Sequence, residues 1–380
     1  MQRRVDGLWR QPEFIKLWTA QTISRFGSHI GGGALRFTAI LILGATPFQL
    51  SLLTAASMVP ALLIGLMAGV WVDRLCRRPI LIIADVGRAA LLLSIPLAYM
   101  LDMLRIEQLY LVAGLVGVLT IWFDVAYHAF LPAVVRREHL VEGNSKLGMS
   151  DSVAEIAGPP LGGTLVQLLS APLAILLDAC SFVCSAVAIW AMRTTEPAPT
   201  PEAQYVGLRQ EVASGLRAVR HDPVLWALLV SATLQNGAGG IIGVLYDVFL
   251  LRELGMSPAI VGLTVGVGGL GALAGAFLAE PLVERFGVGR TMVGSVLLSS
   301  AATLLLPLAH GPLGVSLSMI LVVQASDVAG AVFFINALSL RQAITPDNLM
   351  GRVNATFGFA TTSAGLVGAL AGGLLGEALG

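Results

Sequence analysis

Apolar runs of about 20 residues, separated by short charged clusters, recur along this chain, and nothing else in it constrains the fold so tightly. The clusters DRLCRR (73–78), RREHLVEGNSK (136–146) and GLRQEVASGLRAVRHD (207–222) each end one run before the next begins. A helix needs about 20 residues to cross the hydrocarbon of a bilayer. Of the 380 residues 56% are hydrophobic and 12% charged, with mean hydropathy +0.82, whereas a soluble domain carries about a quarter charged. The runs place eleven spans near 14–43, 48–72, 79–101, 107–130, 146–169, 172–192, 223–250, 258–280, 290–309, 313–339 and 353–379. The first is too polar for a signal peptide, and no small-residue cleavage site follows it. The chain reads as an all-α polytopic membrane protein.

Basic residues set the orientation. With the N-terminus inside, 18 of the 23 Lys and Arg residues fall in cytoplasmic segments; Arg105 and Arg252 lie in outer loops, and Arg25, Arg36 and Arg88 within spans. The formal net charge is zero, which offers no basic surface for nucleic acid. Cys76, Cys180 and Cys184 make no disulfide framework, and Cys180 and Cys184 read as packing residues on one helix face, with no metal-ligand spacing.

The one long polar interruption, 193–222, divides the chain into a six-helix bundle over 1–193, a linker over 194–222 with a short amphipathic helix, and a second bundle over 223–380 with five helices. AGPPLGGTL (157–165) returns as VGALAGGLL (367–375), so that at a shift of 210 Gly158, Gly162 and Gly163 fall on Gly368, Gly372 and Gly373, and Asn144 on Asn354. Repeated halves are the usual construction of secondary transporters, with the substrate site near mid-membrane. A complete second repeat needs a sixth span, so the last helix is expected to be absent, with Gly380 at the outer face.

Ionisable residues inside spans cost a few kcal/mol unless paired or hydrated, which makes each a functional candidate. Gln21, Arg25, Ser28, Gly32 and Arg36 share a narrow arc of the first span, with His29 at its edge. Asp151 and Glu155 share a face with Gly158 and Gly162 on the fifth. Asp85, Arg88, Asp124 and Asp151 lie toward the cytoplasmic third, where ion pairs could open with an inner gate or merely persist as static pairs. Glu155 and Asp327 sit nearer mid-depth, one in each half, and are the carboxylates expected to carry protons or a cationic substrate. Arg25 is placed to meet an anionic substrate group or a carboxylate. Asp178 and Asp247 complete the embedded acids, and His128 stands beside Asp124 on the fourth span.

The turn GVWVDRLCRRP supplies Gly69, Asp73, Arg74, Arg77 and Arg78, and it resembles the loop signature of the major facilitator superfamily. GPPLGG, with Gly158, Pro159, Gly162 and Gly163, is similar to that superfamily's antiporter signature on helix five. DVGRA (85–89), LPAVVRREHLVEGNS (131–145) and RQAITPDNLMGRVNA (341–355) resemble the branch of enterobactin exporters and macrolide efflux pumps. Two positions depart from the family pattern: GVLTIWFDVAYHAF has no span-four arginine, and SRFGSHI has Ser28 where some exporters have an acid. The resemblance implies two six-helix bundles and a monomer in the bacterial inner membrane. It further implies export of a drug-like or siderophore-like small molecule by alternating access with proton antiport and no cofactor. Uptake or lipid transport on the same scaffold, and a truncated membrane protein that transports nothing, are the alternatives. No phosphate-binding loop, metal spacing or nucleophile–base pair points to an enzyme.

In lipid, small residues let helix backbones touch, so Gly158 and Gly162 should mark a close helix contact, repeated at Gly368 and Gly372. Pro159 and Pro160 should favour a bend.

Overall fold

The computed structural model describes residues 8–72, 75–194, 196 and 208–379, with side chains described outside 65–71 and 208–214. The described residues are helical, without strands, and the chain divides into two compact units, Met1–Gln204 and Tyr205–Gly380. The first unit holds α1 (Pro12–Phe37), α2 (Pro47–Val72), α3 (Arg77–Met100), α4 (Ile106–Val134), α5 (Leu140–Leu169) and α6 (Ala171–Trp190). The second holds α7 (Leu208–His221), α8 (Pro223–Val248), α9 (Pro258–Phe286), α10 (Val288–Thr303), α11 (Leu313–Ala325), α12 (Asp327–Ile344) and α13 (Met350–Leu379).

Prolines open α1, α2, α8 and α9, where a missing N–H costs nothing and φ is already helical. Asp222 caps α8 by accepting from the N–H groups of Val224 at 2.8 Å and Leu225 at 3.0 Å. Gly287, at φ 79°, turns the chain between α9 and α10 in a conformation that favours glycine.

Among the described residues nine helices, not the expected eleven, are long and apolar enough to cross a membrane by length and composition. The two that fall short are α1 and α5. They have 26 and 30 residues, but α1 carries Glu13, Lys16, Arg25 and Arg36, and α5 carries Glu142, Lys146, Asp151 and Glu155. The tenth run is divided into α11 and α12 by a turn at Ser326. Large apolar side chains such as Leu63, Ile83, Leu168, Leu234 and Phe277 stand on the outside, far more than a water-facing surface tolerates.

The glycine contacts occur as the repeat requires. A Cβ on Gly158 would overlap the His29 side chain, and one on Gly162 would fall 3.2 Å from Ile30 Cα, so α5 lies directly on α1. In the second unit a Cβ on Gly368 would overlap the Gly237 backbone and one on Gly372 would fall 2.8 Å from Ile241 Cα, so α13 lies on α8 in the same way. The α5 helix runs unbroken through Pro159 and Pro160. A second repeated device joins the units in kind. α1 ends in a wide π-helical turn, Thr38–Ile42, and α8 in another, Phe249–Glu253. Each is followed by a left-handed glycine, Gly44 at φ 62° and Gly255 at φ 59°. Each is closed by matching backbone bonds, Ala45 N–H to Ala39 O at 2.8 Å and Met256 N–H to Leu250 O at 2.9 Å.

Candidate functional site

Arg25 is the hub of the first unit. Its Nη2 donates to Asp124 Oδ1 on α4 at 3.0 Å, and its Nε lies 3.4 Å from Asp151 Oδ1 on α5. With its amide turned so that the oxygen faces Arg25, Gln21 accepts from Nε at 2.7 Å. One guanidinium thus joins α1, α4 and α5, bringing together four residues expected from sequence. Gln21, Arg25 and Asp124 also line a cavity of about 470 Å³, shared with Ser28, Gly31 and Thr120.

Arg88 forms the opposite wall. It is 3% exposed and pairs with Asp85 one turn back on α3. Its guanidinium is held between two rings, 4.3 Å from the centroid of Phe123 and 4.1 Å from that of Phe182. A desolvated cation between aromatic faces gains about 2 kcal/mol per good contact, so this charge is fixed in place. Asp85 and Arg88 are therefore a buried pair in which Arg88, held between the two rings, also lines the cavity. Asp178, 4% exposed on α6, lines the same cavity.

Other expected residues stand elsewhere. Glu155 and Arg36 are exposed and do not line the cavity. Asp327 begins α12 after the Ser326 turn, exposed, with its carboxylate over Gly268 of α9. Helical position conveys depth, but the neighbouring helix decides which side of that depth is enclosed. Asp73 and Arg74 lie outside the described residues, and Gly69 falls inside α2. Arg77 and Arg78 donate their backbone N–H groups to the two oxygens of Glu196, each at 2.7 Å. Arg78 reaches on to the carbonyl of Ile189 at 3.2 Å, capping the end of α6. Lys16 does the same at Ala191 O, 2.8 Å away, while Glu13 accepts from the Arg193 N–H at 2.7 Å. Glu196 and Glu13 were not foreseen, because their partners are backbone groups distant in sequence.

The second unit has a cavity of about 450 Å³ with different chemistry. Its polar groups are Gln235, Asn236, Asn354, Thr361 and Arg341, and no carboxylate is among its lining residues. Arg341 stacks 4.4 Å from the Phe357 centroid. Among the described residues no three His, Cys, Asp or Glu side chains converge as a metal site.

Embedded ion pairs around a cavity, in a bundle that turns apolar side chains outward, define a multi-pass membrane transporter for a small molecule. The Major Facilitator Superfamily model matches residues 17–242 and 233–380. The chain belongs to this superfamily. It is 28% identical to the uncharacterized MFS-type transporter YfiS of Bacillus subtilis (strain 168), over 97% of this chain and 88% of that protein. It is also 28% identical to the multidrug efflux pump Tap of Mycolicibacterium fortuitum, over 87% of this chain and 81% of Tap. Among solved structures, a bacterial homologue of the iron transporter ferroportin in the inward-facing state matches with TM-score 0.74 at 19% identity, over 95% of this chain and 92% of that one. This last likeness concerns the fold alone.

Proposed function

We infer that this protein is a secondary active exporter that moves a small, drug-like or siderophore-like molecule by alternating access, driven by protons entering in exchange. The observation that carries the reading is the Arg25 hub: one embedded cation shared by Asp124 and Asp151 on two other helices, beside a cavity. Ionisable groups persist in a membrane protein where they bind, relay or switch. The efflux relative Tap and the antiporter-like GPPLGG segment favour export. The concentration of Lys and Arg in alternate loops favours a cytoplasmic N-terminus in a bacterial inner membrane.

In this reading Gln21, Arg25, Asp124 and Asp151 form the substrate and proton pathway. The face of Gly158, Pro159, Gly162 and Gly163 is the packed surface over which α5 and α1 adjust, and Arg77 and Arg78 hold the gating turn. Glu155, Arg36 and Asp327 have no place in the first cavity. The test is flux in inside-out vesicles with an acid lumen, using ethidium, erythromycin and a catecholate siderophore as probes. At least one probe should accumulate in the lumen and be released when the pH gradient is collapsed. Accumulation only under the reversed gradient would mean uptake, and gradient-independent behaviour of all three would end the exporter reading.

A further inference from the structure

Asp178 differs from every other acid around the first cavity. Asp124 and Asp151 share Arg25, and Asp85 holds Arg88. The Asp178 carboxylate has only the Ser181 hydroxyl, at 3.4 Å, and no cation within ion-pair distance among the described residues. It is nonetheless 4% exposed and lines the cavity. Its oxygens lie against the two α1 glycines that allow α1 and α6 to touch. A Cβ on Gly27 would come 2.8 Å from Oδ1, and one on Gly31 would overlap Oδ2.

A buried carboxylate is tolerated when it is paired or when it is neutral. No direct ion pair reaches Asp178 among the described residues. From α3, Arg88 is committed to Asp85 and clamped between Phe123 and Phe182; from α1, Arg25 is committed to Asp124 and Asp151. His29 of α1 faces α5 at Gly158, and on α5 itself Asp151 is held by Arg25 and Glu155 is exposed. The glycine contact leaves no room between Asp178 and α1 for a substrate group. On that side only a proton is small enough to bind.

We propose that Asp178 is the proton-loading site of the first unit. A proton from water in the cavity forms the O–H bond on the Asp178 carboxylate, and the same proton returns to water when the site discharges. Discharge leaves an anion at the glycine contact between α1 and α6 and within the field of the fixed Arg88 cation. Loading state is thereby converted into a difference in helix packing. The use of this site in transport rests on the proton-driven reading above; the site itself does not.

Infrared difference spectroscopy, acid minus alkaline, on the purified protein decides the site. The wild type should show a protonated-carboxyl band that Asp178→Asn lacks and that Glu155→Gln and Asp327→Asn retain. Should Asp178→Asn fail to fold, Asp178→Ser, smaller and equally uncharged, makes the same test. A band unchanged in the Asp178 variant overturns the proposal. Ethidium flux in vesicles then decides its use: Asp178→Asn should lose gradient-driven accumulation while downhill equilibration continues. Loss of ethidium binding in that variant would make Asp178 a substrate contact and overturn the proposal. A wild type that shows the Asp178 band yet no gradient-driven accumulation of any probe would uphold the proton site and sink the proton-driven exporter.

Discussion

The two units keep the same packing and different chemistry. Gly158 and Gly162 press α5 onto α1, and Gly368 and Gly372 press α13 onto α8. Even the wide turns that end α1 and α8 close through equivalent backbone bonds. Their cavities are close in size, about 470 and 450 Å³. Yet where the first unit has Arg25, Asp124 and Asp151, the equivalent positions of the second are Asn236, Phe334 and Thr361, all three of which line its cavity. The ion-pair hub has been replaced, member by member, with neutral groups, leaving Arg341 as that cavity's charge. Backbone contact at glycine admits almost no substitution, whereas side chains facing a cavity can change freely as long as buried charges are matched. The shared part is the scaffold, and the divergent part is the charge that faces each cavity.

Breaking the shared part should have the largest effect. Gly158→Leu and Gly368→Leu each drive a side chain into an opposing helix, and overpacking of this kind costs about 1–3 kcal/mol or more. Both should abolish flux while the protein still reaches the membrane, because insertion itself favours leucine. Normal flux in either variant would show that its glycine contact is dispensable. Breaking the divergent part comes next. Arg25→Gln leaves Asp124 and Asp151 without their cation and should reduce transport by about a hundredfold, equivalent to about 2.7 kcal/mol. Asp124→Asn should soften that defect when combined with it, as a double-mutant cycle would reveal. Arg341→Gln removes a charge that stacks on Phe357 and pairs with no acid among the described residues, so we predict a rise in KM of about tenfold or less and little change in kcat.

The smallest effect concerns the ends of the helices. Glu196 caps α3 in the first unit; the corresponding turn of the second relies on Gly287 and a Thr291 hydroxyl bond to Leu282 O at 3.1 Å. Glu196→Ala should lower stability by about 1 kcal/mol, read as a reduced melting temperature, while Thr291→Ala should cost less. Equal losses would mean that the two turns are held alike.

Much of this arrangement was legible in the residues. Run length and charge placement located the helices, and spacing of four put Gly158 with Gly162 on one face before any neighbour was known. The polar arc of the first span holds Gln21 and Arg25, both of which line the first cavity, because an embedded guanidinium has few ways to be satisfied. Glu155 and Asp327 were read from depth alone, and the structure leaves both exposed and outside the lining of the first cavity, because enclosure depends on which helix lies opposite. Asp178 was hidden for the same reason, since its setting depends on Gly27 and Gly31, residues that seem unrelated until α1 lies on α6. One signal was available and missed. LGATP (43–47) and LGMSP (254–258) mark the same turn in both units and would have extended the repeat to the first helix of each.

The claim that coupling charge resides in the first cavity and not in the second is tested most directly by measuring accumulation against pH gradient in vesicles carrying Arg25→Gln, Asp124→Asn or Arg341→Gln. With the probe that the wild type accumulates, the two first-unit variants should lose the dependence on the gradient. Arg341→Gln should keep that dependence and need only more substrate. A gradient response that survives in Arg25→Gln and Asp124→Asn but disappears in Arg341→Gln would contradict the account.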